Sequence, residues 1–382
     1  NMRKREKNGE NINLLREAIL KMKKTLTFKL ITVLLLSTIL IPVNVFAQLE
    51  IVDVDKDNDI FITSSVTGAD RLELLNVMKS LDPEDRKNVV YIREDGSFLA
   101  NRDELLKEFM ESNKNRIGVD GKLVLTDSAH KTLDSTQIET SQHVLHDEVT
   151  LAYANPINAC PSVNSGPFRR VTSTTGYSRL TADIYLPSKT LGEVYIKSGT
   201  NDKGYIYSGA VTSLGGIDFG LATNYTEGPY YWDETWGIFV IGGVTTDPFG
   251  NYRFGQTVFF KYYTPADNQA AVYVAGEDKY GNFLERTVVA QVTGKNFRAD
   301  GTGMKIKRVT SIGQSPEDLT SGSYLKNVHW NNVKIGTTSG SEVLMTASMT
   351  SESCGYKTSN VLVDFISYSN EKVWVKAGTL PE

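Results

Sequence analysis

Gln256 to Gly276 reads QTVFFKYYTPADNQAAVYVAG. Two runs rich in Val, Phe and Tyr flank a short segment of Thr, Pro, Asp and Asn. Aromatic and β-branched side chains suit a pleated, half-buried surface, and the residues between are turn formers. The stretch therefore reads as two strands joined by a turn. The pattern continues both ways. RLTADIYL, EVYIKS, GYIYSG, GIDFGLA and WGIFVIGG lie upstream; RTVVAQVT, GMKIKRVTS, VHWNNVKI, EVLMTASM, NVLVDFIS and KVWVKAG lie downstream. About thirteen such runs fall within residues 160–382, where helical spacing is absent. An open sheet of that many strands would leave long edges, so two packed sheets are expected, as one all-β domain. The lack of a strict repeat argues against a propeller or β-helix. DFISYSNEKVWV, Asp364 to Val375, is the clearest hairpin, turning near Asn370.

Residues 48–155 have a different texture. Leu74, Leu75, Met78 and Leu81 recur at helical spacing, and Asp82-Pro83 stops that helix. NVVYI (Asn88 to Ile92) predicts a strand, followed by a turn at Asp95-Gly96. Asn101 with Glu104 predicts a capping box, ahead of a helix whose apolar face carries Leu105, Leu106, Phe109 and Met110. This part is expected to be a small α+β unit preceding the sandwich, with a pro-region or spacer as the alternative.

The N-terminal residues read as an export signal. Met22-Lys23-Lys24 opens a basic segment, Leu30 to Val45 supplies a short apolar core, and Val45-Phe46-Ala47 places small residues at a cleavage site. Residues 22–47 are thus a secretory leader and 1–21 an upstream extension, with Met22 as the expected start. No stable membrane span is expected after cleavage, and the protein is expected to be extracellular. AGTLPE, Ala377 to Glu382, resembles the opening of a cell-wall sorting motif without its apolar tail, so a released protein is expected. The formal net charge of −4 supplies no excess to neutralise phosphates, which argues against nucleic-acid binding. The two cysteines, Cys160 and Cys354, bracket the β-rich region. In an oxidising compartment they are expected to form a disulfide.

GIDFGLATNY (Gly216 to Tyr225), an aromatic loop and WGIFV (Trp236 to Val240) together resemble concanavalin-like jelly-roll domains. More narrowly, they resemble the YrpD-like family of secreted Gram-positive proteins. The resemblance runs from Phe168 to Lys376 and rests on Asp-x-Gly-Leu and Trp-x-x-Phe, which are packing motifs. It implies a fold and a secreted role, not a reaction.

Catalytic patterns are sparse. Jelly-roll glycosidases set paired carboxylates at alternate positions of one strand. Here Asp218 stands alone, with Gly216 and Gly220 where partners would be. VFFKYYTPADNQ is faintly like a lyase core strand, but no His lies in the preceding strands. His329 beside Trp330 reads as a packed or surface residue, and no Gly-x-Ser-x-Gly occurs. HVLHDE, with His143, His146, Asp147 and Glu148, lacks the spacing of a zinc site and reads as a polar linker. DVDKDNDI puts Asp53, Asp55 and Asp57 at the first ligand positions of a calcium loop, but its twelfth position is Ser64 rather than a bidentate acid. That excludes an EF-hand and leaves, at most, weak surface calcium binding; a solvated acidic segment is the default, and no cofactor is expected.

NYTEGPYYWDETWG stands above this background. Tyr225, Tyr230, Tyr231 and Trp232 offer flat rings for the C–H faces of sugars, and Asp233 and Glu234 could accept hydroxyl hydrogen bonds. Trp236, at a strand start, is expected in the core. The sequence thus points to a secreted, non-catalytic module binding glycan or cell-wall carbohydrate. The alternatives are a polysaccharide hydrolase or lyase, and a structural or toxin-like exoprotein with a pro-segment.

Overall fold

A computed structural model describes residues 60–125, 154–156, 158–161, 165–224 and 235–380. The expected leader, the acidic Asp53, Asp55 and Asp57, the HVLHDE segment and the aromatic loop from Tyr225 to Glu234 lie outside those residues. Helix α1 spans Gly68–Ser80 and α2 spans Asp103–Ser112. The N-terminal strands are β1 (Val89–Ile92) and β2 (Phe98–Ala100). The next are β3 (Phe168–Ser173), β4 (Arg179–Tyr185), β5 (Val194–Tyr195), β6 (Lys203–Thr212), β7 (Gly215–Asn224), β8 (Thr235–Ile241) and β9 (Phe249–Tyr252). Then come β10 (Thr257–Tyr263), β11 (Gln269–Glu277), β12 (Phe283–Gln291), β13 (Lys305–Gly313) and β14 (Tyr324–Gly336). The last are β15 (Val343–Leu344), β16 (Thr350–Tyr356), β17 (Val361–Ser367) and β18 (Asn370–Lys376).

These form two sheets in a sandwich. The larger runs β17-β18-β14-β4-β10-β11-β12-β1-β2, with β5 and β15 on β14; the smaller runs β16-β3-β13-β6-β7-β8-β9. Every pairing is antiparallel except β1 on β12. The expected hairpin is present, with Ser367 opposite Asn370. β2, β3, β9 and β16 were not anticipated. FRRVTS and TSESCGY are too polar to resemble buried strands, yet Phe168 to Ser173 is buried throughout. EVLMTASM, read as a strand, gives only the two residues of β15 and then a short 3-10 turn.

Polar strands become buried because their charges are matched between the sheets. Glu371, fully buried on β18, faces Arg169 of β3 and Arg308 of β13. Arg169 approaches to 2.9 Å and also donates to the Cys354 carbonyl and the Ser353 hydroxyl. Arg308 donates to Glu371 and to the Tyr368 carbonyl, and lies 5.6 Å over the Trp330 ring. Burial alone would raise the Glu371 carboxyl, but the two guanidiniums hold it below the usual range. Glu371→Gln would leave two buried cations without a counter-charge. It should cost about 3–5 kcal/mol in urea unfolding at neutral pH, whereas replacing all three residues by apolar groups of similar volume should cost much less. A Glu371→Gln protein as stable as the parent would remove the triad as an organising element.

The sandwich edge beside the triad is strapped. Ala154 exchanges backbone hydrogen bonds with Val363 of β17, and Cys160 N donates to Gly355 of β16. Cys160 and Cys354 form a disulfide, with Cα atoms 5.1 Å apart. Ala154 is thus tied to the edge strand of one sheet, and Asn158 and Cys160 to that of the other. Gly355 permits this approach, since a Cβ there would lie 2.6 Å from Pro156 Cγ.

The α+β stretch is fused into the larger sheet. β1 lies parallel to β12, and α2 sends Phe109 into the main core, 5.1 Å from Phe249. Helix α1 covers the outer face, where Leu74, Val77 and Met78 pack with Tyr263, Ala271 and Val289. The expected capping box is absent: Arg102 is the residue before α2. Asn101 is fully buried instead, accepting from Val89 N and donating to the carbonyls of Phe61, Arg86 and Lys87. Tying four backbone groups across loops outweighs one cap hydrogen bond.

The turn after α1 explains the lysine inside FFKYY. Lys261 points outward from β10, where Asp82, Glu84 and Asp85 descend on it at 2.8, 3.2 and 2.7 Å. Asp85 also accepts from the Tyr263 hydroxyl at 2.7 Å. Burial pushes the Asp85 carboxyl up to about 6 despite Lys261, and its Oδ1 has no donor among the described residues. The folded chain therefore holds this proton more tightly than the unfolded chain. The resulting stabilisation is complete below pH 3.8 and is lost as pH rises through about 6. Asp82, held low by Arg179 and Lys261 against the effect of burial, acts in the opposite sense below that window. Asp85→Asn should flatten the stability profile between those two pH values, followed by urea titration. A profile parallel to the parent's would exclude Asp85 as its source.

Candidate functional site

The outer face of the larger sheet, away from α1, carries a row of half-exposed rings. It arises from strand alternation. On β18, Val373 and Val375 face the core, so Lys372, Trp374 and Lys376 face outward. On β14, Leu325 and Val328 face inward across a bulge, leaving Tyr324, Lys326 and His329 outside. Asn327 occupies the bulge at φ 63°, a left-handed conformation that Asn tolerates better than most residues. Tyr185 of β4 lies opposite His329, and Tyr195 of β5 opposite Tyr324.

The rings are held in place. Tyr195 is 48% exposed, and its centroid lies 6.0 Å from that of Tyr324. Lys326 Nζ sits 4.6 Å from the Trp374 ring centre, a contact worth about 0.5–1 kcal/mol at an exposed site. Glu193, nearly buried, accepts at 2.8 Å from the Tyr185 hydroxyl, Ser188 N and Asn327 Nδ2. Tyr324 donates to the Gly192 carbonyl at 3.0 Å. Burial and then the Glu193 hydrogen bond push the Tyr185 phenol up to about 12. His329 Nε2 lies 2.7 Å from Asn370 Oδ1; its partner is an amide, not a carboxylate that would prepare it as a base.

The opposite face, outside the smaller sheet, is packed. Asp218 of GIDFG lies 2.8 Å from Lys307, and Lys307 sits 5.9 Å from the Tyr207 ring centre. A Cβ at Gly220 would fall 2.3 Å from Tyr207 Cβ, so the glycine there makes room for the ring. Tyr207 and Phe239 are buried, with centroids 5.8 Å apart. Asp218 is thus a neutralised structural acid. Trp236 is fully buried, as expected.

Of the residues singled out in the sequence, Cys160 and Cys354 are brought together. Tyr225, Tyr230, Tyr231, Trp232, Asp233 and Glu234 lie outside the described residues, though the positions flanking their loop, Asn224 and Thr235, are paired neighbours on β7 and β8. The outward row was missed. Its signal was present in KVWVKAG, where Trp374 occupies the phase opposite to two core valines.

No family model and no curated protein matches the chain. Solved structures similar to it include scytalido-glutamic peptidase with a transition-state analog inhibitor, at 10% identity and a TM-score of 0.36. The same peptidase with a peptide-based transition-state analog gives 10% and 0.35. SCP-B, a member of the eqolisin family of peptidases in complex with the tripeptide Ala-Ile-His, gives 8% and 0.36. Each alignment covers 56% of this chain and 98% of that one. Scores this low transfer neither fold nor chemistry.

Glu193 organises the row, so Glu193→Ala should release Tyr185 and Asn327 together. The expected cost is about 1–3 kcal/mol, from stranded donors. Ultraviolet titration should show the Tyr185 phenol returning from about 12 toward its ordinary value of 10.0. An unchanged titration would mean that burial alone sets it.

Proposed function

We propose that this chain is a secreted, non-catalytic module that binds glycan or cell-envelope carbohydrate on the outer face of its larger sheet. The carrying observation is the row of Tyr185, Tyr195, Tyr324 and Trp374 on mutually paired strands. Rings on a sheet hold their planes better than rings on a loop, and sugars present C–H faces that such planes cover. His329, Asn370 and Asn332 stand near them as hydroxyl partners. The disulfide and the leader-like N-terminus support export. A jelly-roll of the concanavalin-like kind, within the YrpD-like group, belongs to the same reading. So does a second contact through the Tyr225 to Glu234 loop. No helix among the described residues is long and apolar enough to cross a membrane.

The test uses a polysaccharide panel, with retention and released reducing ends measured together. Trp374→Ala should abolish retention while costing less stability than the ~3–5 kcal/mol expected for truncating the buried Trp236. Trp232→Ala, run alongside, reports whether the loop contributes. Undiminished retention by a folded Trp374→Ala protein would sink the sheet-face reading, and new reducing ends would overturn the non-catalytic one.

A further inference from the structure

We infer that the ligand of this face is an anionic glycan, one bearing carboxylates or phosphates along its chain; the inference rests on the glycan-binding reading above. Lys372 and Lys376 flank Trp374 at alternate positions of β18, and the bulge of β14 brings Lys326 onto the same ring. None of the three has an ion-pair partner among the described residues. The acids nearby hydrogen-bond neutral donors, which hold their carboxylates in place without cancelling their charge. Glu193 is saturated by three donors, and Asp183 accepts from Asn332 at 2.8 Å. Asp364, opposite Lys372, is the remaining carboxylate and is largely buried. Three ammoniums without ion-pair partners among the described residues thus gather around one ring that can stack, on a chain whose formal net charge is −4.

Lys326 gives the patch a specific behaviour. In the free protein its ammonium occupies the ring face that a sugar would cover. The contact is weak enough to yield, and a flexible stem lets the ammonium swing to an acidic substituent beside the stacked sugar. A neutral glycan must displace it with no return; an anionic one recovers a charge-assisted hydrogen bond.

Matched pairs of polymers separate charge from sugar. Polygalacturonate is compared with its methyl ester, and phosphomannan with mannan, by affinity electrophoresis at low and high salt; polyglutamate serves as a polyanion without sugar. The acidic member of at least one pair should be held more tightly, and salt should narrow the gap. Preference within the first pair identifies carboxylate as the group recognised, and within the second, phosphate. Replacing Lys326, Lys372 and Lys376 together by Gln should weaken acidic binding about eightfold, the product of three roughly twofold exposed-charge contacts. Lys326→Gln alone should weaken acidic binding yet slightly strengthen the neutral polymer, because it uncovers the ring. Equal retention of charged and neutral members, unaffected by the triple change, would overturn the inference and leave the glycan reading standing. Retention of polyglutamate as strong as that of the acidic glycans would also overturn it. Loss of every polysaccharide from the parent protein would end both.

Discussion

Two sheets that meet through valines could slide; two sheets that share a buried carboxylate cannot. Glu371 reaches from the larger sheet to Arg169 and Arg308 of the smaller one. Sliding one sheet over the other while both stay packed would strand charges that no solvent reaches, which fixes the register at this end of the sandwich. The neighbouring features lean on that arrangement. Arg169 also holds the backbone at Cys354, where the disulfide is anchored, and Arg308 lies against Trp330 on the strand that carries the outward rings.

Edges and faces are managed differently around the molecule. The contacts of Ala154, Asn158 and Cys160 protect the corner where both sheets end. At the far side β1 and β2 continue the larger sheet, and α1 covers part of its outer surface. The lysine and three acids under that cover are a second buried electrostatic contact, joining the N-terminal stretch to the sandwich. Among the described residues, no helix covers the part of the larger sheet with Trp374 and the tyrosines. That face carries rings and lysines that have no ion-pair partner among the described residues, and these features are the basis of the proposed ligand recognition there.

Much of the β architecture was readable because alternation of Val, Tyr and Phe survives in the sequence, as in QTVFFKYYT and KVWVKAG. α1 and α2 were readable for the same reason at a different period. β3 and β16 were not, because Arg169, Arg170 and Glu352 resemble surface residues until their partners are known. Arg170 finds Glu352 across the β3–β16 pair at 2.7 Å. Asn101 shows the converse error: a local spacing suggested a cap, and contacts distant in sequence claimed the side chain.

The sequence alone determined that this chain makes a mainly β sandwich, since periodicity and turn chemistry act over a few residues. Compartment and parity likewise made the Cys160–Cys354 bond an expectation. Only the tertiary structure decided which face of each strand is covered, because that depends on elements far apart in the chain. Trp374 and Trp330 look alike in sequence; one is buried beneath Arg308 and the other looks outward under Lys326. Burial of a ring is a property of its neighbours in space, and those neighbours are set by the pairing of β14 with β18 and the packing of one sheet on the other.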